Sequence, residues 1–446
     1  MLCLGLVAVV LSSAVLFPLT YRTPFHGDES GWISAGNYYC NLLSKHDFRW
    51  DHWRGSSCGY WGSLQNLQLG KVLIGFPLNS PWSSASSQPV FFAFYDFDKS
   101  FDINVSDGSV PSQNILVAAR LQSAAFGVLC CLLISSLAYL TNGFVAGAAA
   151  TILLIMNPLF CTFSTRAMSD VHYNFFLLAL TLALLPLIKG KDANLPGYSC
   201  LCGVLAGLAC SVKVTGIVLG SCYFLAVLIY RMWLQPFGYK LPIKSLVAFT
   251  LSSMMTVYFL NPFFWISTEV FNLPALGQEV SLAISDAART PPIDFLQTRE
   301  LYPQIENLSH PLEFVQVVLF WNDFLKQLET SPSAQFHGNR LIVLQQELFS
   351  THSSFPFEWL LLLAGICGCL LETIRSALAH RLNSMAVPVV FFMTNYFCLV
   401  FFVHINWDRY YLPAEIATQA VCAIGLGSLA RLLLSLLHRQ TKFRTE

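Results

Sequence analysis

Two adjacent carboxylates, Asp28 and Glu29, follow the first apolar run of the chain in His26-Gly27-Asp28-Glu29-Ser30. A carboxylate where water meets lipid can take the proton of a hydroxyl as that hydroxyl attacks an electrophilic carbon. Three other polar clusters interrupt apolar sequence in the same way: Arg166 to Asp170, Lys213 alone between two runs, and His404 to Tyr411. Ionisable groups at membrane depth are costly and mark functional candidates by default. Arg409 suits a phosphate, because guanidinium grips it in bidentate fashion, and Tyr410 adds a hydroxyl donor. Its bland alternatives are pairing with Asp408 or snorkelling to headgroups. Lys213 reads as a second phosphate contact or as a partner for carbonyls at a helix break. Arg166 reads as a phosphate contact or an interfacial anchor. Asp170 reads as an orienting group or a helix N-cap. Glu29 reads as a support for Asp28, a metal ligand or a solvated loop acid, and His404 as an interfacial histidine.

The elements that must position these groups are set by composition. Of 446 residues, 55% are hydrophobic and only 11% charged, against about 25% charged in soluble domains. The chain is therefore an all-α, polytopic membrane protein. A net charge of zero excludes a nucleic-acid partner, which needs a basic face. Apolar runs predict about ten spans, near 1–20, 115–140, 143–163, 171–188, 198–211, 214–230, 245–264, 356–371, 385–403 and 411–433. Lys213 interrupts the fifth and sixth, which alternatively form one broken span. The first run lacks a basic leader and is long for a signal peptide, so it reads as a retained helix.

Basic residues give the direction. Lys189 and Lys191, then Arg231, Lys240 and Lys244, then Arg375 and Arg381, then Arg439, Lys442 and Arg444 all fall on one side of a ten-span layout. The positive-inside rule makes that side cytoplasmic. The long segments 21–114 and 265–355, and the four polar clusters, then share the external, periplasmic or lumenal side. This divides the chain into a transmembrane module over 1–264 that includes the first loop, a second loop over 265–355, and C-terminal helices over 356–446. The first loop is rich in Trp and Tyr, which anchor at headgroups or stack on sugars. The second carries helical apolar spacing over 312–328, as an interfacial helix would. Sequons stand at Asn104 and Asn307, and Cys40 and Cys58 form a candidate disulfide in the first loop. The other cysteines mostly lie in apolar runs without zinc spacing. Acids and bases gathered on one face describe a pocket for a phosphorylated lipid and a sugar.

The order of these motifs resembles the GT-C glycosyltransferases, in the branch of the protein O-mannosyltransferases and the aminoarabinose transferases for lipid A. The resemblance rests on Asp28-Glu29 after a helix, the turn Ser164 to Asp170, the Gly-rich run Gly203 to Gly216, and Asp408-Arg409-Tyr410-Tyr411-Leu412-Pro413. It covers roughly 1–270 and 385–415 and leaves 265–355 unmatched. It implies a GT-C fold with about ten helices and two long external loops carrying interfacial helices. It also implies inverting transfer of a hexosyl or pentosyl group from a polyprenyl- or dolichyl-phosphate sugar to a lipid, glycan or protein acceptor. Asp28 takes the place of the general base, and Arg166, Asp170, Lys213, His404, Arg409 and Tyr410 those of substrate-binding groups. A divalent metal near Asp28 and Glu29 is left open. The rival class is a transporter or flippase for a phosphorylated or glycosylated substrate. Against it stand the lack of an internal repeat and of paired broken helices.

Overall fold

The computed structural model describes residues 1–48, 67–79, 95–189, 194–234, 242–261, 358–379, 381–402 and 408–445. The described part of each predicted apolar run falls on helix, as it must where lipid offers backbone groups no other partner. Helix α1 (Leu2–Arg22) is followed by α2 (Asp28–Ser44), the short α3 (Gln68–Gly75) and the single-turn α4 (Phe101–Ser106). The bundle continues through α5 (Gln113–Asn142), α6 (Phe144–Met156), α7 (Pro158–Ser164), α8 (Asp170–Lys189), α9 (Leu195–Val212), α10 (Thr215–Leu234) and α11 (Ile243–Leu260). It closes with α12 (Glu358–Leu378), α13 (Ala386–Phe402) and α14 (Leu412–Thr445). Among the described residues, eight helices are long and apolar enough to cross a membrane.

One of the predicted spans takes a form that hydropathy does not show, and the alternative left open for two others is decided. The third is α6 and α7 together, bent by 73° at Asn157-Pro158. Proline has no N–H to give and its ring disfavours a continuous helix, while the Asn157 side chain accepts the Phe160 N–H at 2.9 Å and starts a new one. The fifth and sixth are separate antiparallel helices, not one broken span. Gly216 abuts the Ala209 backbone, and a β-carbon on Gly220 would lie 2.8 Å from that of Ala206. Pairs whose numbers diverge in this way belong to helices running in opposite directions, turned at Lys213-Val214.

Segments of the first loop pack into the bundle. Helices α2 and α3 cross backbone to backbone at Gly36 and Gly75, where a β-carbon on Gly75 would overlap the Gly36 carbonyl. Replacing Gly75 with alanine therefore lowers stability by about 1–3 kcal/mol, the usual cost of overpacking. The check is thermal unfolding in detergent, and an unchanged melting temperature would contradict so close a crossing. Cys40 lies buried on α2 with its Sγ 3.2 Å from the Val72 carbonyl, and Cys58 lies outside the described residues. Asn104 is 1% exposed and its amide donates to the Asp96 carbonyl at 2.9 Å and the Ser100 carbonyl at 3.1 Å. That sequon is thus folded into the loop and not presented. Asn307, the 312–328 stretch and the rest of the second loop lie outside the described residues.

Candidate functional site

The polar clusters separated in sequence meet at one end of the bundle. Asp28 and Glu29 open α2, and successive helical residues point about 100° apart, so the two acids part company. Asp28 is 32% exposed, while Glu29 is wholly buried. Glu29 accepts four hydrogen bonds: from Arg120 Nε at 2.8 Å and Nη2 at 2.7 Å, the Ala167 N–H at 2.8 Å and the His26 N–H at 3.0 Å. A carboxylate has about four lone-pair sites, so none remains for a metal. Among the described residues no group of three or more His, Cys, Asp or Glu is arranged to hold one. The open choice for Glu29 therefore narrows to a buried anchor behind Asp28, neither a solvated acid nor a metal ligand.

Arg120 completes that anchor. Besides Glu29, its Nη1 donates to the carbonyls of Thr20 at 3.0 Å and Thr23 at 2.7 Å, and its Nη2 to that of Pro24 at 3.2 Å. Every guanidinium donor is used, and two of the carbonyls belong to the end of α1, where helical partners run out. The Thr23 hydroxyl meets that of Thr165 at 2.7 Å. One buried ion pair thus fixes the end of α1, the start of α2 and the turn before α8.

Asp28 stays partly exposed. Its Oδ2 lies 3.2 Å from Arg409 Nη1 and 3.8 Å from His26 Nδ1. The Asp28 N–H donates to that same Nδ1 at 3.3 Å, so the ring nitrogen is an acceptor. Burial pulls the His26 pKa below its ordinary value against the opposing charge of Asp28, which agrees with a neutral ring. Tyr95 and Phe97 lie against Gly27, where a β-carbon would stand 2.6 Å from the Tyr95 ring. Arg409 stands in the one-turn helix Asp408–Tyr410, its guanidinium 5.6 Å from the Tyr410 ring centre.

The remaining predicted groups line the same end. Asp170 begins α8 and pairs with Lys213 at the α9–α10 turn, so it serves an ion pair across two turns and not only a helix end. Lys213 also lies 5.9 Å from the Tyr173 ring and close enough to Arg409 and Asp28 to interact with both. Burial lowers the Lys213 pKa, with Asp170 opposing. Arg166 rests over the Phe163 ring at 5.8 Å with its Nε buried and, among the described residues, unpaired. His404 lies outside the described residues.

Sequence reading passed over two residues here. Arg120 falls inside the second apolar run, where an isolated arginine is itself the signal. Lys71 lies on α3, 2% exposed, its Nζ without a hydrogen-bond partner among the described residues and 5.1 Å from the Tyr39 ring centre. Its neighbour Gly70 abuts both turns, since a β-carbon there would stand 3.0 Å from Ser169 Cβ and 3.1 Å from Val212 Cγ1. Burial lowers the Lys71 pKa strongly. Nothing in a short run inside a polar loop marks that lysine as a core residue.

The family model described as dolichyl-phosphate-mannose-protein mannosyltransferase matches residues 69–273. A search of curated proteins finds no significant relative. Among solved structures, the apo oligosaccharyltransferase of Archaeoglobus fulgidus aligns with a TM-score of 0.51 at 14% identity, covering 99% of this chain and 51% of that one. The chain thus spans about half the length of that enzyme. ArnT from Cupriavidus metallidurans, bound to undecaprenyl phosphate, aligns with a TM-score of 0.37 at 14% identity, covering 94% of this chain and 77% of that one. The archaeal likeness shows the fold, which is of the GT-C type.

Proposed function

We propose that this chain is a membrane glycosyltransferase that moves a sugar from a polyprenyl- or dolichyl-phosphate carrier to an acceptor hydroxyl, with inversion. The observation that carries the reading is the Asp28 carboxylate, 32% exposed and 3.2 Å from Arg409, at a mouth where Lys213 and Arg166 also converge. The family match over 69–273, to a model described by its dolichyl-phosphate-mannose donor, supports the donor class. Glycosyl transfer needs a base for the acceptor and positive charge for the phosphate that leaves. Asp28 on α2 and Arg166 on the turn before α8 are held by elements fixed to one another through Arg120 and Glu29, and Arg409 meets Asp28 directly.

In the reaction, the acceptor oxygen attacks the anomeric carbon from the face opposite the phosphate, and Asp28 takes its proton. The bond from that carbon to the phosphate oxygen breaks as the new one forms, and its electrons stay with the lipid phosphate. Arg409 stabilises the charge gathering there, in a site where fixed donors need little rearrangement. Lys213, held by Asp170, and Arg166 line the same pocket. Tyr410 orients the guanidinium beside it. The basic ends at Lys189, Arg231 and Arg375 lie at the far ends of α8, α10 and α12. By the positive-inside rule this supports an external or lumenal site. The acceptor, and the choice between hexosyl and pentosyl donors, are set by surfaces beyond this cluster.

Replacing Arg409 with alanine tests the phosphate assignment. The expected result is a donor KM raised about tenfold or more, as for loss of a charge-assisted hydrogen bond of roughly 1.5–3 kcal/mol, with the acceptor KM little changed. The measurement is sugar transfer by the reconstituted protein from dolichyl-phosphate-mannose at varied donor concentration. An unaltered donor KM would remove Arg409 from the phosphate site.

A further inference from the structure

Away from the mouth, a second polar knot lies buried where the first turns of α12 and α14 meet the bend between α6 and α7. It consists of Glu358 on α12, Glu415 and Gln419 on α14, and Asn157 at the bend, with Glu415 1% and Gln419 0% exposed. Asn157 Nδ2 donates to Glu415 Oε2 at 3.1 Å, and Gln419 Nε2 donates to Glu358 Oε1 at 2.6 Å. The Gln419 amide is also within hydrogen-bonding reach of Glu415. The titratable groups facing Glu415 are Glu358, Tyr396 of α13 and Cys422 of α14, and no cation pairs with it among the described residues.

Among the described residues, two atoms of the knot have no partner: Glu415 Oε1 and Gln419 Oε1. Both are acceptors, so the knot lacks one donor. An ionised carboxylate buried beside another carboxyl and without a cation carries a desolvation penalty that nothing nearby offsets. One proton on Glu415 Oε1 removes that charge and provides the donor that the Gln419 oxygen lacks. The amide then bridges the two carboxyl groups, taking a hydrogen bond from Glu415 and giving one to Glu358.

We propose that Glu415 is a positioning residue that works as a neutral carboxylic acid, its proton bound to Gln419, and that it sets the Asp408–Tyr410 turn against the Arg166–Asp170 turn. Glu415 stands in the first turn of α14, directly after the Asp408–Tyr410 turn, and its N–H makes the ordinary helical bond to the Tyr411 carbonyl at 2.9 Å, so the fixing of its side chain by Asn157 bears on the turn through the start of α14. On the other side, Asn157 caps α7 through the Phe160 N–H, and α7 runs into the turn that carries Arg166. The functional part of this inference rests on the sugar-transfer reading, while the protonation does not.

Glutamine copies the neutral acid in shape and can donate to Gln419, so Glu415→Gln separates a proton from a charge. In reconstituted protein the wild-type infrared spectrum should show a protonated-carboxyl band that Glu415→Gln removes. Glu415→Gln should retain transfer within about twofold, while Glu415→Ala, which strands the bridge, should slow it about tenfold with a raised donor KM. Two results would overturn the proposal. One is no carboxyl band lost in Glu415→Gln. The other is a Glu415→Gln variant as damaged as Glu415→Ala, which would mean that the site needs the negative charge, as a cation ligand does. Should the wild type transfer no sugar at all, the infrared spectra and the melting temperatures of the two variants decide the protonation by themselves.

Discussion

Asp28→Asn should abolish sugar transfer while leaving the protein folded and able to hold its donor. A positioned general base contributes about 10²–10⁴-fold, and asparagine keeps the size of aspartate without its affinity for a proton. The side chain is partly exposed and serves no buried anchor, so the melting temperature should stay close to that of the wild type. Its exchange with Arg409 is a single contact at 3.2 Å, and donor binding should change far less than kcat. Both quantities are read from one set of transfer assays at varied donor, alongside a thermal melt. A variant retaining full kcat would end the assignment of Asp28 as base. The neighbouring change Glu29→Gln should behave in the opposite way. It weakens the charge opposite a buried guanidinium, so it should lower stability first and activity only as a consequence. Two adjacent acids with opposite profiles would separate the base from the anchor.

The sequence carried the fold and one half of the site. Helices were legible because apolar runs long enough to span lipid have few other solutions, and the described parts of the ten runs all fall on helices. The bend at Asn157-Pro158 was written in the sequence as an N-cap followed by proline, yet hydropathy averaging hides it inside one run. The groups facing the opening were legible by type, because Asp28, Arg166, Lys213 and Arg409 interrupt apolar sequence at helix ends. What stayed hidden was pairing. Nothing local tells that Asp170 answers Lys213 or that Glu29 answers Arg120, 91 positions apart. Long-range ion pairs follow from how helices pack, and that is set by close glycine crossings such as Gly36 on Gly75. Lys71 was hidden for a related reason: its loop helix becomes core only when α3 is laid against the two turns. Adjacent acids looked alike on paper, and the helical rotation between them gave one to the pocket and the other to the interior.

The largest stability effect should come from Arg120→Leu. Removing one partner of a buried ion pair typically costs about 3–5 kcal/mol, because the other charge is left uncompensated. Here the loss includes the carbonyls of Thr20, Thr23 and Pro24, whose hydrogen bonds come from the same guanidinium. The variant should therefore unfold at a markedly lower temperature, or at lower denaturant, than the wild type in the same detergent. If some of it remains folded, transfer should fail as well, since the start of α2 then loses its tie to the end of α1 and Asp28 moves with it. The double change Arg120→Leu with Glu29→Leu takes away both charges and should recover part of the stability. Recovery stops short of the wild type, because the Ala167 N–H and the α1 carbonyls keep no partner. Such coupling between two residues, measured as the departure from additivity, is the signature of one anchor and not two independent contacts. Additive losses in the two single variants and the double would mean that Arg120 acts on α1 alone, and that the position of Asp28 is set by the glycine crossing of α2 and α3.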